Sequence, residues 1–326
     1  MNAQPDTTKK DINIMAVIMH GHPLAKLIKE KVKKDVEKLN KTGIDVGLGL
    51  LIAGDVPASR QYFLAIIKAC KRIGITTYTY TLPEDTSANS ILHIVHKINN
   101  DARINGLLVL FPLPGRVNSR RIVNEIMPEK DIDGLGSLSV GRLAADESTF
   151  QIFKEGRYDL LYDGRSVPAI SSFLPCTPFG VIRLIEHSGI GIKGKHAVVI
   201  GKSLAVGKPL SLMLLAKEAT VTVCHKATPD LGLFTRQADI LCSATGVSGL
   251  IKGDMVKEGS TVVDIGINVL EDGRIVGDVD YESVEKRASF ITPVPGGVGP
   301  VTIAMLLENT VRSAQRDEFL KSPFML

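Results

Sequence analysis

The chain has no Cys-x-x-Cys pair. Its four cysteines, Cys70, Cys176, Cys224 and Cys242, are scattered, so neither a disulfide framework nor a zinc site is indicated. No apolar run approaches ~18 residues, which gives no reason to expect a membrane-spanning helix. Residues 1–13 are polar and lack a signal-peptide core, so a frayed tail and a cytoplasmic setting are expected. Net charge is only +4, and no basic run is interleaved with aromatics, so nucleic acid is not an expected partner. The lysines between 29 and 41 lie on a helix-periodic segment and read as a solvated face. Neither a Gly-x-Ser-x-Gly elbow nor a Walker loop is present. The pairs His20/His22 and His93/His96 lack a third ligand at fitting spacing, so no metal is expected.

What the chain does have is an alternation of strand-like and helix-like segments. At 326 residues it exceeds one typical domain, and 44% hydrophobic content supports a sizeable core. Apolar positions recur at helical spacing over 24–41, and VGLGLLIAG (46–54) reads as a buried parallel strand. A helix over 58–73, a β-rich TTYTYTL (76–82), a helix over 87–99 and a strand GLLVLFPLP (106–114) follow. This βαβα order implies an α/β fold with a parallel sheet. The second half repeats it: a helix over 177–187, strand HAVVIG (196–201), a helix over 210–219, strand TVTVCH (220–225), then strands in ADILCSATG (238–246) and STVVDIGIN (260–268). That is a dinucleotide-binding order of the Rossmann kind, although only Gly201 and Gly207 remain of the usual glycine signature.

Two features speak about ligands. ITPVPGGVGPVT packs prolines and glycines ahead of an apolar helix over 303–310. Such a loop either holds a flat ligand near a helix N-terminus or is a tight strand-to-helix connection. The strand that usually ends in a ribose-binding acid ends here in His225-Lys226, and Lys202 sits in the phosphate turn. Two cations and no acid suit the 2′-phosphate of NADP, unless both lysines are merely solvated.

Read in order, PASRQYF (57–63), LFPLP (110–114), PEKDIDGL (128–135), PCTPFG (175–180), VVIGKSLAVGKP (198–209), DIGIN (264–268) and TPVPGGVGPVT (292–302) resemble the methylenetetrahydrofolate dehydrogenase/cyclohydrolase family. The resemblance runs from about residue 15 to about 315. It implies two α/β domains flanking a cleft, with a tetrahydrofolate derivative on the first and NADP on the second, in a homodimer. It assigns Tyr62 to stacking on the folate, Asp133 to the pterin's amide edge, and Pro295 and Gly296 to the loop closing over it. Gly201, Lys202 and Ser203 match the cofactor-phosphate turn, with Lys226 as a second cation. Thr177 and Ile267 match the nicotinamide side. The chemistry of Asp133 agrees, because a carboxylate accepts two hydrogen bonds from an aminopyrimidinone edge. Asp131 lies two residues earlier, and the bland reading of either aspartate is a helix cap or a surface acid. The apolar strand STVVDIGIN and its neighbours also suggest a homodimer formed through the cofactor domains.

The chain departs from the family at two positions. Family members carry a lysine four residues after the tyrosine, where this chain has Ile66, and a glutamine where it has Leu110. Lys68 lies about 200° further round the helix and does not substitute from the same face. Either the two losses are coordinated, or they are drift or a shifted register. Ile66 and Leu110 are expected to line the pocket. Hydride transfer needs chiefly positioning, whereas hydrolysis of the methenyl cation needs positioned proton transfer. The expected activity is therefore the dehydrogenase, with cyclohydrolase weak or absent. The alternatives are a different folate or cyclic aminal or imine substrate, and a non-catalytic folate- or NADP-binding relative. The expected domains are a tail (1–13), a folate domain (14–143 and 305–326), an inserted loop (144–174) and an NADP domain (175–304). The insertion reads as a lid, a dimer contact or a surface excursion.

Overall fold

The computed structural model describes residues 15–115, 117–145, 159–162, 165–168 and 172–320, with side chains omitted for 159–168 and 317–320. The polar tail and most of the 144–174 insertion, including the side chains of Tyr158, Tyr162, Arg157 and Arg165, lie outside the described residues.

Strand β1 (Val17–Ile18) leads into helix α1 (Gly21–Lys41), which buries Leu24, Ile28, Val32, Val36 and Leu39 and turns its lysines outward. β2 (Gly47–Ala53) is buried at every position, as a strand covered on both faces must be. Helix α2 (Pro57–Ile73) starts on a proline, whose missing N–H costs nothing there, and stops at Gly74 in the left-handed region. β3 (Thr76–Leu82) and α3 (Ala88–Asn99), capped by Ser87, lead to β4 (Gly106–Val109). The three longer strands form a parallel sheet in the order β3-β2-β4. β4 is shorter than its apolar run, because the prolines at 112 and 114 cannot continue a hydrogen-bonded ladder. Leu110 therefore lies one residue past the strand, with its N–H on Leu51 O at 2.9 Å.

Short helices α4 (Ser119–Asn124) and α5 (Ser137–Ala145) follow, then an antiparallel pair β5 (Asp159–Tyr162) and β6 (Arg165–Pro168). The second half runs α6 (Cys176–His187), β7 (His196–Ile200), α7 (Gly207–Ala216), β8 (Thr220–Cys224), α8 (Leu231–Thr235), β9 (Ile240–Ser243) and β10 (Thr261–Asp264). It ends with the small pair β11 (Asn268–Val269) and β12 (Ile275–Val276), α9 (Tyr281–Val284), β13 (Phe290–Ile291) and α10 (Val298–Leu320). Its parallel sheet has the order β1-β13-β10-β9-β7-β8, so the N-terminal strand is one of its edges. The fold is α/β, and its second sheet is Rossmann-like. β10 sits inside this sheet, buried at all four positions. The 261–264 part of STVVDIGIN is thus spent within the chain, while Ile267 of the same segment stays 57% exposed.

α10 begins at Val298, earlier than the expected 303, because Gly299 and Pro300 fall in a first turn whose N–H groups have no intrahelical partner anyway. It packs along α1 and α6, so the two halves share one hydrophobic core that runs from Leu24 through Ile66 and Cys176 to Met305. Parallel sheets place ligand crevices at the carboxyl ends of strands where the order reverses, here β2/β4 and β7/β9.

Candidate active site

The first crevice is built around the DIDG loop. Lys130 is buried and donates Nζ to Ile98 O and Asp101 O, both at 2.8 Å, which anchors the loop to the end of α3. Asp131 is 3% exposed and accepts from Leu135 N at 3.2 Å, Gly136 N at 2.9 Å and Ser139 Oγ at 2.7 Å. Its carboxylate is consumed in holding the start of α5, so it is a structural cap. Gly134 has φ +64°, and a Cβ there would strike Phe173 O and the Leu174–Pro175 peptide. Only glycine lets the loop lie this close to the entry of α6.

Asp133 is left facing the crevice with some accessible surface, close to Tyr62 of α2 and Cys176 at the start of α6. Burial and the charge of Asp131 push its carboxyl up to about 7, against the opposing pull of the Cys176 N–H and thiol. Burial, with Asp133 next in effect, drives the Tyr62 hydroxyl and the Cys176 thiol well above their ordinary ranges. At neutral pH both stay protonated beside a carboxyl poised between its two forms. The Cys176 thiol donates to Ile132 O at 3.3 Å, and Asn309 of α10 donates Nδ2 to Ile132 O at 2.8 Å and Leu174 O at 3.2 Å. Neither Cys176 nor Asn309 was expected at the site, although Cys176 lies in PCTPFG and Asn309 in the expected helix over 303–310.

The structure seals Ile66 and Leu110, the residues expected to line this crevice, in the core beside Tyr62. Ile66 is fully buried and Leu110 is 4% exposed, both in the core against which Tyr62 packs. An aliphatic chain at either position gains by leaving water, so the core closes over it. Lys68 is exposed, on another face of α2. Ser59 Oγ donates to Phe111 O at 2.8 Å and ties α2 to the LFPLP segment. Across the opening, Gly296 has φ +110° and accepts from Gly21 N at 2.9 Å, while Pro295 beside it is exposed. The Gly/Pro loop therefore rests on the start of α1.

The second crevice lies past β7 and β9. Gly201 has φ +117°, and a Cβ there would strike Ala244 O; a Cβ on Gly207 would strike Gly201 O. These glycines leave a backbone-lined cradle at the start of α7, which suits a phosphate. Ser203 Oγ accepts from Val206 N at 3.1 Å and shapes that turn. Lys202 and Lys226 are exposed and form no ion pair among the described residues. Thr177 is half-buried in the first turn of α6, and Ile267 is 57% exposed at the end of β10. No group of His, Cys, Asp or Glu among the described residues could hold a metal ion. His96 instead contacts Glu125 at 3.1 Å. No described helix is long and apolar enough to cross a membrane.

Residues 19–133 match the profile of the tetrahydrofolate dehydrogenase/cyclohydrolase catalytic domain, and residues 175–318 that of the NAD(P)-binding domain of the same family. The chain belongs to this family. A bifunctional protein FolD of Acetivibrio thermocellus is 43% identical over 306 residues, covering 94% of this chain and 99% of the relative. The crystal structure of the bifunctional enzyme FolD from Campylobacter jejuni superposes with a TM-score of 0.82 at 44% identity, over 93% of this chain and 99% of the other. The Trypanosoma brucei enzyme, solved with NADP cofactor and an inhibitor, gives 0.83 at 32% identity over 95% and 100%. Membership makes the DIDG crevice the catalytic half and the β7/β9 crevice the NAD(P) half.

Proposed function

We propose that the chain is an NADP-dependent 5,10-methylenetetrahydrofolate dehydrogenase of one-carbon metabolism with weak or absent methenyltetrahydrofolate cyclohydrolase activity. The observation that carries this reading is the pairing of Tyr62 and Asp133 at the crevice with sealed aliphatic chains at positions 66 and 110. The relatives are named for both reactions, and the departure concerns the second alone.

Asp133, as a carboxylate, accepts from the aminopyrimidinone edge and fixes the pterin's register. Tyr62 offers its ring as a stacking face, and Pro295 with Gly296 closes the opposite side. Gly201, Lys202 and Ser203 hold the cofactor phosphates, with Lys202 and Lys226 facing the 2′-phosphate. Thr177 and Ile267 flank the nicotinamide. The nicotinamide, when bound, supplies the hydride acceptor. The cation left on the substrate is stabilised by its own two nitrogens, so this chain's residues need only orient the reactants. Hydrolysis asks for more: a group that moves protons between nitrogen and oxygen, with water beside it. Ile66 and Leu110 offer neither.

With this reading go a folate-binding unit of 14–143 and 305–326, an NADP-binding unit of 175–304 between them in sequence, and the 144–174 insertion. A homodimer also belongs to it. The edge strand β8, with Val223 41% exposed, is the edge proposed for the contact; the other edge is the two-residue β1. Light scattering at micromolar concentration that returns the monomer mass rules the dimer out. The function is tested by a paired assay of NADPH formation from methylenetetrahydrofolate and of methenyl hydrolysis above the buffer rate. The first present and the second at the buffer rate is the expected result; strong hydrolysis overturns the separation of the two activities.

A further inference from the structure

The loops after β9 and β10 meet over a buried carboxylate that the reaction does not use. Asp278 is fully buried and no cation pairs with it among the described residues. Its Oδ2 accepts from Ser243 Oγ at 3.0 Å, Thr245 N at 2.6 Å and Thr245 Oγ1 at 2.9 Å. Its Oδ1 accepts from Val247 N at 3.1 Å and Asn268 Nδ2 at 3.2 Å. One carboxylate therefore holds the end of β9 through Ser243, the loop after it through Thr245 and Val247, and the segment after β10 through Asn268. Asp264 fixes Asp278 in turn: its Oδ1 accepts from Asp278 N and Gly266 N, each at 3.0 Å, and its Oδ2 from Val279 N at 2.9 Å. The two loops carry Val247, 52% exposed, and Ile267, 57% exposed, as apolar side chains at the carboxyl ends of adjacent strands.

We infer that Asp278 is a positioning residue that sets the spacing of Val247 and Ile267 around the nicotinamide, and so governs recognition of that half of the cofactor alone. The inference rests on the NADP reading above. A buried anion satisfied wholly by neutral donors is costly to place and rigid once placed, because each donor it loses is left unpaired. Five bonds on one side chain make the two loops a single unit. The phosphate turn at Gly201–Ser203 lies on another loop, after β7, and none of these bonds reaches it.

The test compares binding of NADPH with binding of 2′,5′-ADP, which keeps the 2′-phosphate half and lacks the nicotinamide. Asp278→Asn puts an amide against donors. Thr245→Val removes one hydroxyl, leaves the carboxylate, and serves the same comparison if the first variant fails to fold. Both variants are expected to weaken NADPH binding about tenfold while 2′,5′-ADP binding stays within about twofold. Equal weakening of both ligands, or no change in either, overturns the inference. A wild-type chain that binds 2′,5′-ADP but gains nothing from the nicotinamide half overturns the cofactor reading and the inference together.

Discussion

Asn309 Nδ2 lies 2.8 Å from the carbonyl of Ile132, a residue 177 positions earlier in the chain. The same amide reaches Leu174 O at 3.2 Å. The helix that closes the second half thereby fixes the loop that presents Asp133.

Asn309→Ala leaves both carbonyls without this donor in a buried place, at a cost of about 1–3 kcal/mol. The Ile132 shift passes to Asp133, so the folate KM should rise while the NADP KM holds. Thermal denaturation and initial rates measure the two effects. A stability loss with an unchanged folate KM would separate Asn309 from the site.

Asp133 is a carboxyl held far above the usual carboxylate range. Burial and the Asp131 charge raise it to about 7. Below that value the protonated acid turns a donor toward the ligand's own N–H groups; above it, both oxygens accept. The folate KM should therefore fall as pH rises from about 6 to about 8, by up to about tenfold. The NADP KM should not follow it. Asp133→Asn should bind folate weakly at every pH and flatten the profile. A flat profile in the unaltered chain would count against Asp133 as the partner of the amide edge.

Lys202 is exposed and forms no salt bridge among the described residues, so its charge is available to a phosphate. Lys202→Ala should raise the NADP KM by about tenfold, as for loss of a charge-assisted hydrogen bond, and leave the NAD KM nearly unchanged. Equal effects on both cofactors would remove the 2′-phosphate from Lys202 and leave Lys226 to be tested in the same way.

Periodicity made most of the framework legible. β3 runs over 76–82 as its alternating composition indicates, and α2 and α3 lie within a residue of their apolar stripes. The errors fall where backbone chemistry overrides hydrophobicity. GLLVLFPLP reads as one strand, but its prolines end pairing at Val109. Gly299 and Pro300 read as loop, yet a helix's first turn tolerates both. The depth of Ile66 was not legible either. Spacing puts it one turn from Tyr62, but whether that turn faces a cleft or a core depends on what α10 and α6 bring against it. Asp264 and Asp278 were missed for a related reason. The partners of their carboxylates come from three separate segments, 243–247, 266–268 and 278–279, and only the folded chain brings those together.

Positions 66 and 110 give the sharpest test. Ile66 has no exposed surface, so Ile66→Lys alone puts an ammonium into a dry core without a partner. Such a group either loses its proton or costs roughly 3–5 kcal/mol of stability. In neither state does it activate water, and methenyl hydrolysis should stay at the buffer rate. Leu110→Gln alone buries an unpaired amide and should also lower stability without restoring hydrolysis. The double variant lets the amide accept from the ammonium, so each satisfies the other. It should be more stable than the sum of the single losses implies, and the excess is the pair's coupling. With the aliphatic seal replaced by a polar pair, water can reach these positions from the Tyr62 side, so the double variant should also recover measurable methenyl hydrolysis, while NADPH formation from methylenetetrahydrofolate stays within reach of the unaltered chain. Thermal denaturation of the four chains and the paired assay read both parts. If the double variant shows coupling but no hydrolysis, these two positions do not decide the second activity. If the unaltered chain already hydrolyses the methenyl cation rapidly, another group does that work, with Lys68 the first to be replaced.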